Sequence, residues 1–272
     1  MIGGDLPVEP TDRGLLLGDG IFETFMVIDG TALWRKAHLA RLESAALELG
    51  ILFDAAKIAG TIDGLLLRAE APAHVLRVTL TRGSATRGLV GDGEKPTLLA
   101  SLNPFSKELL FQPVTLATST IRRNESAPSS RLKTLSYIDN IAAARKAVAK
   151  GAGDALMLNT GGNAASSTIS NLFLVKDDRL ITPALDQAIL PGIMRQVLLD
   201  AATSLGFKAL ERPVAPAELM AAQAVFLTNS LRFIRPVTAL DGLPLRTRNL
   251  GPLIDALCDL AQQQCGRDPR LI

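Results

Sequence analysis

Lys133 closes a polar loop, RRNESAPSSRLKT, just ahead of a segment of helical character that begins at Tyr137. A lysine held there can be aimed by the helix that follows. Desolvated beside another cation, its amine loses basicity, adds to carbonyl carbons and shuttles protons. Further along, ILPGIMRQVLL opens a helix with Gly192, Ile193 and Met194. The first amide groups of a helix lack intrahelical partners, and with the helix dipole they suit a phosphate dianion. An imine-forming amine and a phosphate-holding helix start are the two fittings that a phosphorylated aldehyde cofactor requires. Each also has a plainer reading, a solvated lysine in a basic loop and an ordinary helix start after Pro191.

The elements that must position these groups alternate along the chain. IFETFMVIDG followed by ALW predicts a hairpin closed at Asp29 and Gly30. Residues 37–50 carry Leu39, Leu42, Ala46 and Leu49 at helical spacing and stop at Gly50, and residues 55–69 predict a second helix. HVLRVTLTRG and EKPTLLASLNPF read as strands, the latter ended at Pro104. After it, PVTLATSTI predicts a strand, RRNESAPSSRLKT a loop without apolar period, Tyr137 to Lys150 a helix and DALMLNT a strand before the turn TGGN. NLFLVKDDRLIT predicts a hairpin around Asp177 and Asp178, residues 192–205 a helix, AVFLTNSLRFIRPVTAL two extended runs about a polar turn, and residues 250–264 an amphipathic helix. The expected architecture is α/β (α+β) in two lobes, residues 1–104 and 112–272, joined by a linker over 105–111, with a cleft between them.

Composition narrows the class. The 272 residues are 47% hydrophobic with a net charge of +2, which gives no case for nucleic acid or an anionic membrane as partner. Two cysteines, Cys258 and Cys265, suit a reducing compartment, and two histidines, His38 and His74, cannot build a metal cage. MIGGDLPVEP is too polar for a signal peptide and no apolar run reaches membrane length, so a soluble cytoplasmic protein is expected.

Several ordered segments carry a family resemblance: DRGLLLGDGIFETF at 12–25, AHLARL at 37–42, LTRG at 80–83, LKTLSYIDN at 132–140, SNLFLV at 170–175, LPGIMR at 190–195 and LTNSLRFIRPV at 227–237. Together they cover nearly the whole chain, which resembles the fold-type IV pyridoxal phosphate enzymes, branched-chain and D-amino-acid aminotransferases and aminodeoxychorismate lyases. The resemblance implies pyridoxal 5'-phosphate as cofactor, Lys133 as the lysine that binds it, a small amine or amino-acid-like substrate and a homodimer. It gives Arg41, in the pattern His38-x-x-Arg41-Leu42, a bidentate hold on the phosphate, although most arginines in amphipathic helices are surface residues. It makes the turn Thr228-Asn229-Ser230 a second phosphate-binding turn, with Ser230 donating its hydroxyl and amide, and makes Leu190 the residue packed on one face of the pyridine ring. Tyr137 is left with two readings, a contact to the cofactor phenol or substrate and a packing role. Phe22 and Phe25 are wall or core, and Asp12, Asp19 and Glu23 are structural, in turns and lobe packing. Arg82 is read as fixing a strand end. Arg87 is either a solvated loop arginine or a substrate-carboxylate ligand; in D-amino-acid aminotransferases that arginine is followed two residues later by a histidine, and here Leu89 stands there.

Ser166 is the departure. Family members carry a glutamate five residues before the asparagine of the SNLF motif, where its carboxylate keeps the pyridine nitrogen protonated. Five before Asn171 is Ser166, and no Asp or Glu lies between Gly161 and Lys176. A hydroxyl can hydrogen-bond a neutral pyridine but cannot stabilise a pyridinium as a carboxylate does, so the ring becomes a weaker electron sink. Transamination leans on that sink, whereas a β-elimination that expels pyruvate and forms the aromatic ring of 4-aminobenzoate has its own driving force. The expected function is therefore an aminodeoxychorismate lyase. The alternatives are an aminotransferase of D-amino acids, branched-chain amino acids or another amine, and a non-catalytic relative that binds the cofactor.

Overall fold

The computed structural model describes residues 8–91, 93, 95–248 and 250–272. The reading of MIGGDLP as too polar for a signal peptide, and Glu94 at the head of one expected strand, lie outside the described residues. The chain divides into two compact units. The first runs to Lys107 and takes in two segments that the linear division had left with the second lobe, Leu132–Ser136 and Ala261–Ile272.

The first unit contains α1 (Arg13–Leu17), β1 (Gly20–Ile28), β2 (Thr31–Ala32), α2 (Arg35–Leu49), α3 (Ala55–Leu66), β3 (Ala73–Thr81) and β4 (Thr97–Pro104). The strands form one antiparallel sheet in the order β2-β1-β3-β4. The hairpin closes where expected, with Asp29 and Gly30 at φ 45° and 74°, the left-handed pair that a two-residue turn matching the sheet twist requires. Side chains alternate across a strand, so Ile21, Phe25 and Val27 of β1 join Leu76, Val78 and Leu80 of β3 in a core completed by Leu42, Ala46, Ile58 and Ile62 of the helices. Phe25 is core, whereas Phe22 points to the other face.

One edge of β1 decides where the lysine goes. β2 is so short that it pairs only with Val27 and Ile28. The Gly20–Phe22 end would be left with bare backbone groups, and the Leu132–Ser136 segment supplies their partners. The Phe22 N–H donates to the Lys133 carbonyl at 2.9 Å, the Leu135 N–H donates to the Gly20 carbonyl at 2.9 Å, and Ile21 and Thr134 form an antiparallel bridge. Lys133 is thus fixed by main-chain pairing rather than by a loop of its own.

The acidic residues of the N-terminal motif have separate tasks. Asp12, fully buried, caps α1 by accepting from the Gly14 amide at 2.7 Å and accepts the hydroxyls of Thr81 and Thr97 at 2.9 and 2.6 Å. Asp19 pairs with Arg13 and Arg82, each at 2.8 Å. Arg82 in turn donates to the carbonyls of Leu49 and Gly50 at 2.7 and 2.8 Å, which ties the end of α2 to the end of β3.

The second unit begins with β5 (Val114–Arg123), α4 (Pro128–Arg131), α5 (Ile138–Ala149), β6 (Asp154–Asn159) and β7 (Ala164–Ser166). It continues with β8 (Asn171–Lys176), β9 (Arg179–Thr182), α6 (Ile193–Ala201), β10 (Lys208–Glu211) and α7 (Pro216–Ala221). β11 (Ala224–Asn229), β12 (Phe233–Leu240), β13 (Leu243–Pro244) and α8 (Gly251–Cys265) complete the order. Strand pairing follows β10-β9-β8-β11-β12-β5-β6-β7, and because β7 also pairs with β8 it closes on itself, with β9 and β10 as an extension. Closure leaves edges only on the extension, and the strands bury Leu116, Leu156, Leu158, Leu172, Leu174, Leu227 and Val237 in one apolar cluster. The polar loop ahead of Lys133 contains the single turn α4, and β7, β10, α1 and α7 were not expected; each is too short to show an apolar period. α6 ends at Ala201 rather than residue 205, and Gly192 lies outside it as the N-cap.

Candidate active site

The apolar alternation of β1 is broken by one charge. Glu23 lies on the helix-facing side, 1% exposed, and would be costly there without partners. α2 supplies them one turn apart. Arg41 donates Nε and Nη2 to the two carboxylate oxygens at 2.7 and 2.8 Å, and His38 Nδ1 lies 2.7 Å from Oε2. Burial alone would raise the Glu23 carboxyl, but the charge of Arg41 and the hydrogen bonds from His38 and Arg41 hold it at about 2. Burial lowers His38, with Glu23 pulling the other way, so at neutral pH the ring is a neutral donor from Nδ1.

Lys133 belongs to the same group of charges. Its Nζ stands 4.3 Å from the centroid of the Phe22 ring, and the Arg77 guanidinium lies 3.7 Å from that centroid. The lysine keeps an open edge, but its amine is desolvated. That burial lowers it to about 8; Glu23 opposes the shift, and Arg41 and Arg77 add to it. An amine at that value is still mostly protonated near physiological pH but keeps a far larger neutral fraction than an ordinary lysine, and that fraction is what a nucleophile and a base need. The first unit thus brings Lys133 and Arg41 together. Glu23 binds them electrostatically, in contrast to the turn and packing role read from the sequence; its signal was a lone carboxylate in an otherwise apolar strand.

In the second unit Asn171 organises the other expected residues. It begins β8 opposite Ser166 of β7 on one side and Thr228 of β11 on the other. Its Nδ2 donates to the Leu190 carbonyl at 2.9 Å. Its Oδ1 lies where a Cβ on Gly192 would fall, at 1.9 Å, so only glycine fits there. Gly192, extended at φ −71° and ψ 140°, delivers Ile193 and Met194 as the first turn of α6. Asn229 Nδ2 donates to Ser170 Oγ at 2.9 Å while its Oδ1 accepts the amides of Leu231 and Arg232 at 3.1 and 2.8 Å. The Asn229 side chain therefore shapes the turn that carries half-buried Ser230. Thr228 Oγ1 is buried without a hydrogen-bond partner among the described residues. Ser166 is 6% exposed and gives its hydroxyl hydrogen to the Ser167 carbonyl at 2.9 Å, which leaves its oxygen as an acceptor.

Tyr137 is the N-cap of α5 and half-buried. Arg87 is exposed and makes no hydrogen bond or ion pair with the described residues; the neighbouring carbonyls of Gly88 and Leu89 accept from Arg13 at 2.7 and 2.9 Å. Both cysteines are free thiols, and among the described residues no helix is long and apolar enough to cross a membrane.

Residues 20–240 match the family described as amino-transferase class IV. The chain belongs to this family. Aminodeoxychorismate lyase of Bacillus subtilis (strain 168) is 31% identical over 242 residues, 87% of this chain and 83% of that protein. The crystal structure of 4-amino-4-deoxychorismate lyase from Pseudomonas aeruginosa superposes with a TM-score of 0.84 at 31% identity, covering 94% of this chain and 96% of that one. A pyridoxal phosphate-bound hypothetical aminotransferase from Mycobacterium tuberculosis gives a TM-score of 0.84 at 27% identity over 97% and 95% of the two chains. The class IV family depends on pyridoxal phosphate and includes both lyases and aminotransferases.

The low value of Glu23 has a consequence for acid stability. Its carboxyl sits at about 2 in the fold against an ordinary 4.5, so its contribution is complete above 4.5 and is lost as pH falls through the folded value. The shift corresponds to about 3 kcal/mol. Urea unfolding at stepped pH is expected to show wild type losing about that much more stability than Glu23→Gln between about pH 5 and pH 2. Parallel curves for the two proteins would mean that the ion pair with Arg41 does not hold the carboxylate.

Proposed function

We propose that this chain is a pyridoxal phosphate-dependent 4-amino-4-deoxychorismate lyase. The residues present fit the cofactor. The α6 N-terminus offers the amides of Ile193 and Met194, the buried Thr228 hydroxyl lacks a partner among the described residues, and Lys133 has an amine lowered to about 8. Arg41, Ser230 and the α6 amides would hold the phosphate, and Leu190 would cover one face of the ring. Bound there, the cofactor supplies an aldehyde carbon that condenses with amines and a ring that accepts the electron pair left when an adjacent C–H bond breaks. Lys133 takes the proton from the substrate carbon that bears the amino group. The enolpyruvyl oxygen leaves the neighbouring ring carbon with its bonding pair, the ring becomes aromatic, and a proton delivered to the methylene carbon of the released enolate gives pyruvate.

The observation that carries the lyase over the aminotransferase is Ser166. Its neutral hydroxyl brings no negative charge to hold a proton on the ring, so the site is better matched to a reaction driven by aromatisation. The likeness to a pyridoxal phosphate-bound aminotransferase supports the second reading, transfer of an amino group from a D-amino acid, a branched-chain amino acid or another amine.

The same reading includes a homodimer. Leu15, Leu16 and Leu17 of α1 are 66, 62 and 49% exposed, and Leu89 and Val90, in the loop that Arg13 holds from the start of α1, are 82 and 95% exposed. A group of large apolar side chains open to water is the composition of a covered surface. Light scattering at micromolar concentration is expected to give about twice 28.9 kDa; the single-chain mass would count against it.

Holoprotein given 4-amino-4-deoxychorismate should release 4-aminobenzoate and pyruvate in equal amounts, and Lys133→Ala should lose the visible absorbance of the bound cofactor and at least about a thousandfold in turnover. Amino-group transfer to a keto acid without 4-aminobenzoate would replace the lyase by the aminotransferase. Ser166→Glu is expected to raise amino-group transfer relative to elimination, because the new carboxylate favours a protonated ring. An unchanged ratio of the two rates would remove Ser166 as the deciding residue.

A further inference from the structure

We propose that Arg123 is a positioning residue that sets the cofactor-binding edge of the second unit by gripping two chain segments at once; this rests on the cofactor reading above. Arg123 is the last residue of β5, beyond a register shift. Thr118 pairs with Leu156, but Arg122 pairs with Leu158, so four steps on β5 oppose two on β6. Such an irregularity turns the strand end and re-aims its side chains, leaving Arg122 exposed and Arg123 half-buried.

The guanidinium is used as a fork. Its Nε–H donates to the Ala188 carbonyl at 2.8 Å, and Nη2–H donates to the Ser130 carbonyl at 2.7 Å. Neither acceptor is an arbitrary loop carbonyl. Ala188 is 2% exposed and sits at φ 61°, left-handed for a residue with a Cβ, a strained conformation that persists only where surroundings enforce it. Two residues on, the Leu190 carbonyl is held by Asn171, and two further is Gly192 with no room for a Cβ. The 188–192 strap, which ends at the first turn of α6, is therefore clamped at two carbonyls, one by Asn171 and one by Arg123.

The second acceptor, Ser130, lies in the single turn α4, whose carbonyls have no following helical residues to satisfy them. Lys133 follows three residues later. One side chain thus fixes the strap that leads to the ring-packing leucine and phosphate-facing amides, together with the turn from which the lysine segment departs. Only arginine can do this. Its planar fork presents donors on two edges, whereas a lysine ammonium is a point charge that reaches one carbonyl and leaves the other unpaired. Tyr137 and Asp139 stand within electrostatic reach, but the two hydrogen bonds go to neutral carbonyls.

The test compares wild type with Arg123→Lys and Arg123→Ala by two readouts. Pyridoxal phosphate titration followed by visible absorbance is expected to give a Kd raised about tenfold in the lysine variant and more in the alanine variant. Millimolar guanidinium ion should recover much of the alanine variant's affinity and little of the lysine variant's. Hydrogen exchange on the cofactor-free proteins should show faster exchange in both the 188–194 and the 129–135 peptides of Arg123→Ala, while β8 and β11 peptides exchange as in wild type. Wild-type Kd in Arg123→Ala, no recovery with guanidinium, or loosening of only one of the two peptides would overturn the proposal. Failure of wild type itself to bind pyridoxal phosphate, with both peptides loosened in the variant, would sink the cofactor reading and leave the two-segment grip standing.

Discussion

A lysine is useful as a nucleophile and base near neutral pH only if something removes the advantage of its charge, and in this chain that something is burial. Lys133 has a carboxylate in its field, and Glu23 by itself would raise the amine. The bidentate Arg41 answers that carboxylate atom for atom, and His38 takes part of what remains. What Lys133 experiences is a nearly cancelled ion pair plus Arg77 beyond the Phe22 ring, so desolvation sets the outcome at about 8. The cancellation also restricts the family of tolerable changes. Removing Arg41 would leave Glu23 to pull the lysine back toward its protonated form, and removing Glu23 would put a second uncompensated cation beside the amine.

The geometry behind that balance is main-chain geometry. Side-chain electrostatics place a pKa only when the atoms cannot drift, and Lys133 is held by the open end of β1 because β2 is too short to cover it. In the second unit the corresponding economy centres on Asn171, whose two side-chain ends touch Leu190 and Gly192 while its backbone lies between β7 and β11. A single residue so placed keeps the 188–192 strap, the start of α6 and the Ser166 position in one register.

Much of this was legible in the sequence, for identifiable reasons. Strong local signals gave the Asp29-Gly30 hairpin, the Gly50 stop of α2, the helix over residues 138–149 and the helix after Gly192, because each is decided within a few residues of itself. Elements shorter than one apolar period, such as α1, α4, β7 and β10, were invisible, since tertiary pairing rather than propensity makes them. The membership of Leu132–Ser136 in the first unit is a long-range strand pairing that no window around Lys133 encodes. Among site residues, Lys133 and Gly192 could be argued from local chemistry, while Arg41 needed the family motif. The weight of Glu23 depended on which helix faces it, and that of Asn171 on which strap passes its side chain; neither fact is local. Arg87, read from spacing, lies exposed in its loop.

Ser166 bears on the electrostatics of the second unit. The resemblance implies a carboxylate against a ring nitrogen at position 166; such a charge is expensive to bury and would be kept only because it holds a proton on the ring. Here the position is a serine, 6% exposed, whose hydrogen is already satisfied by a neighbouring carbonyl. The buried carboxylate nearest in sequence, Asp154, accepts the Thr168 hydroxyl at 2.6 Å and the Ala155 amide at 2.7 Å on Oδ1, while its buried Oδ2 has no hydrogen-bond partner among the described residues. Under the lyase reading, a neutral residue at position 166 favours reactions in which the substrate itself accommodates the electrons released on C–H cleavage. Expulsion of an oxygen leaving group with formation of an aromatic ring does that within the substrate, and the demand on the electron sink falls accordingly.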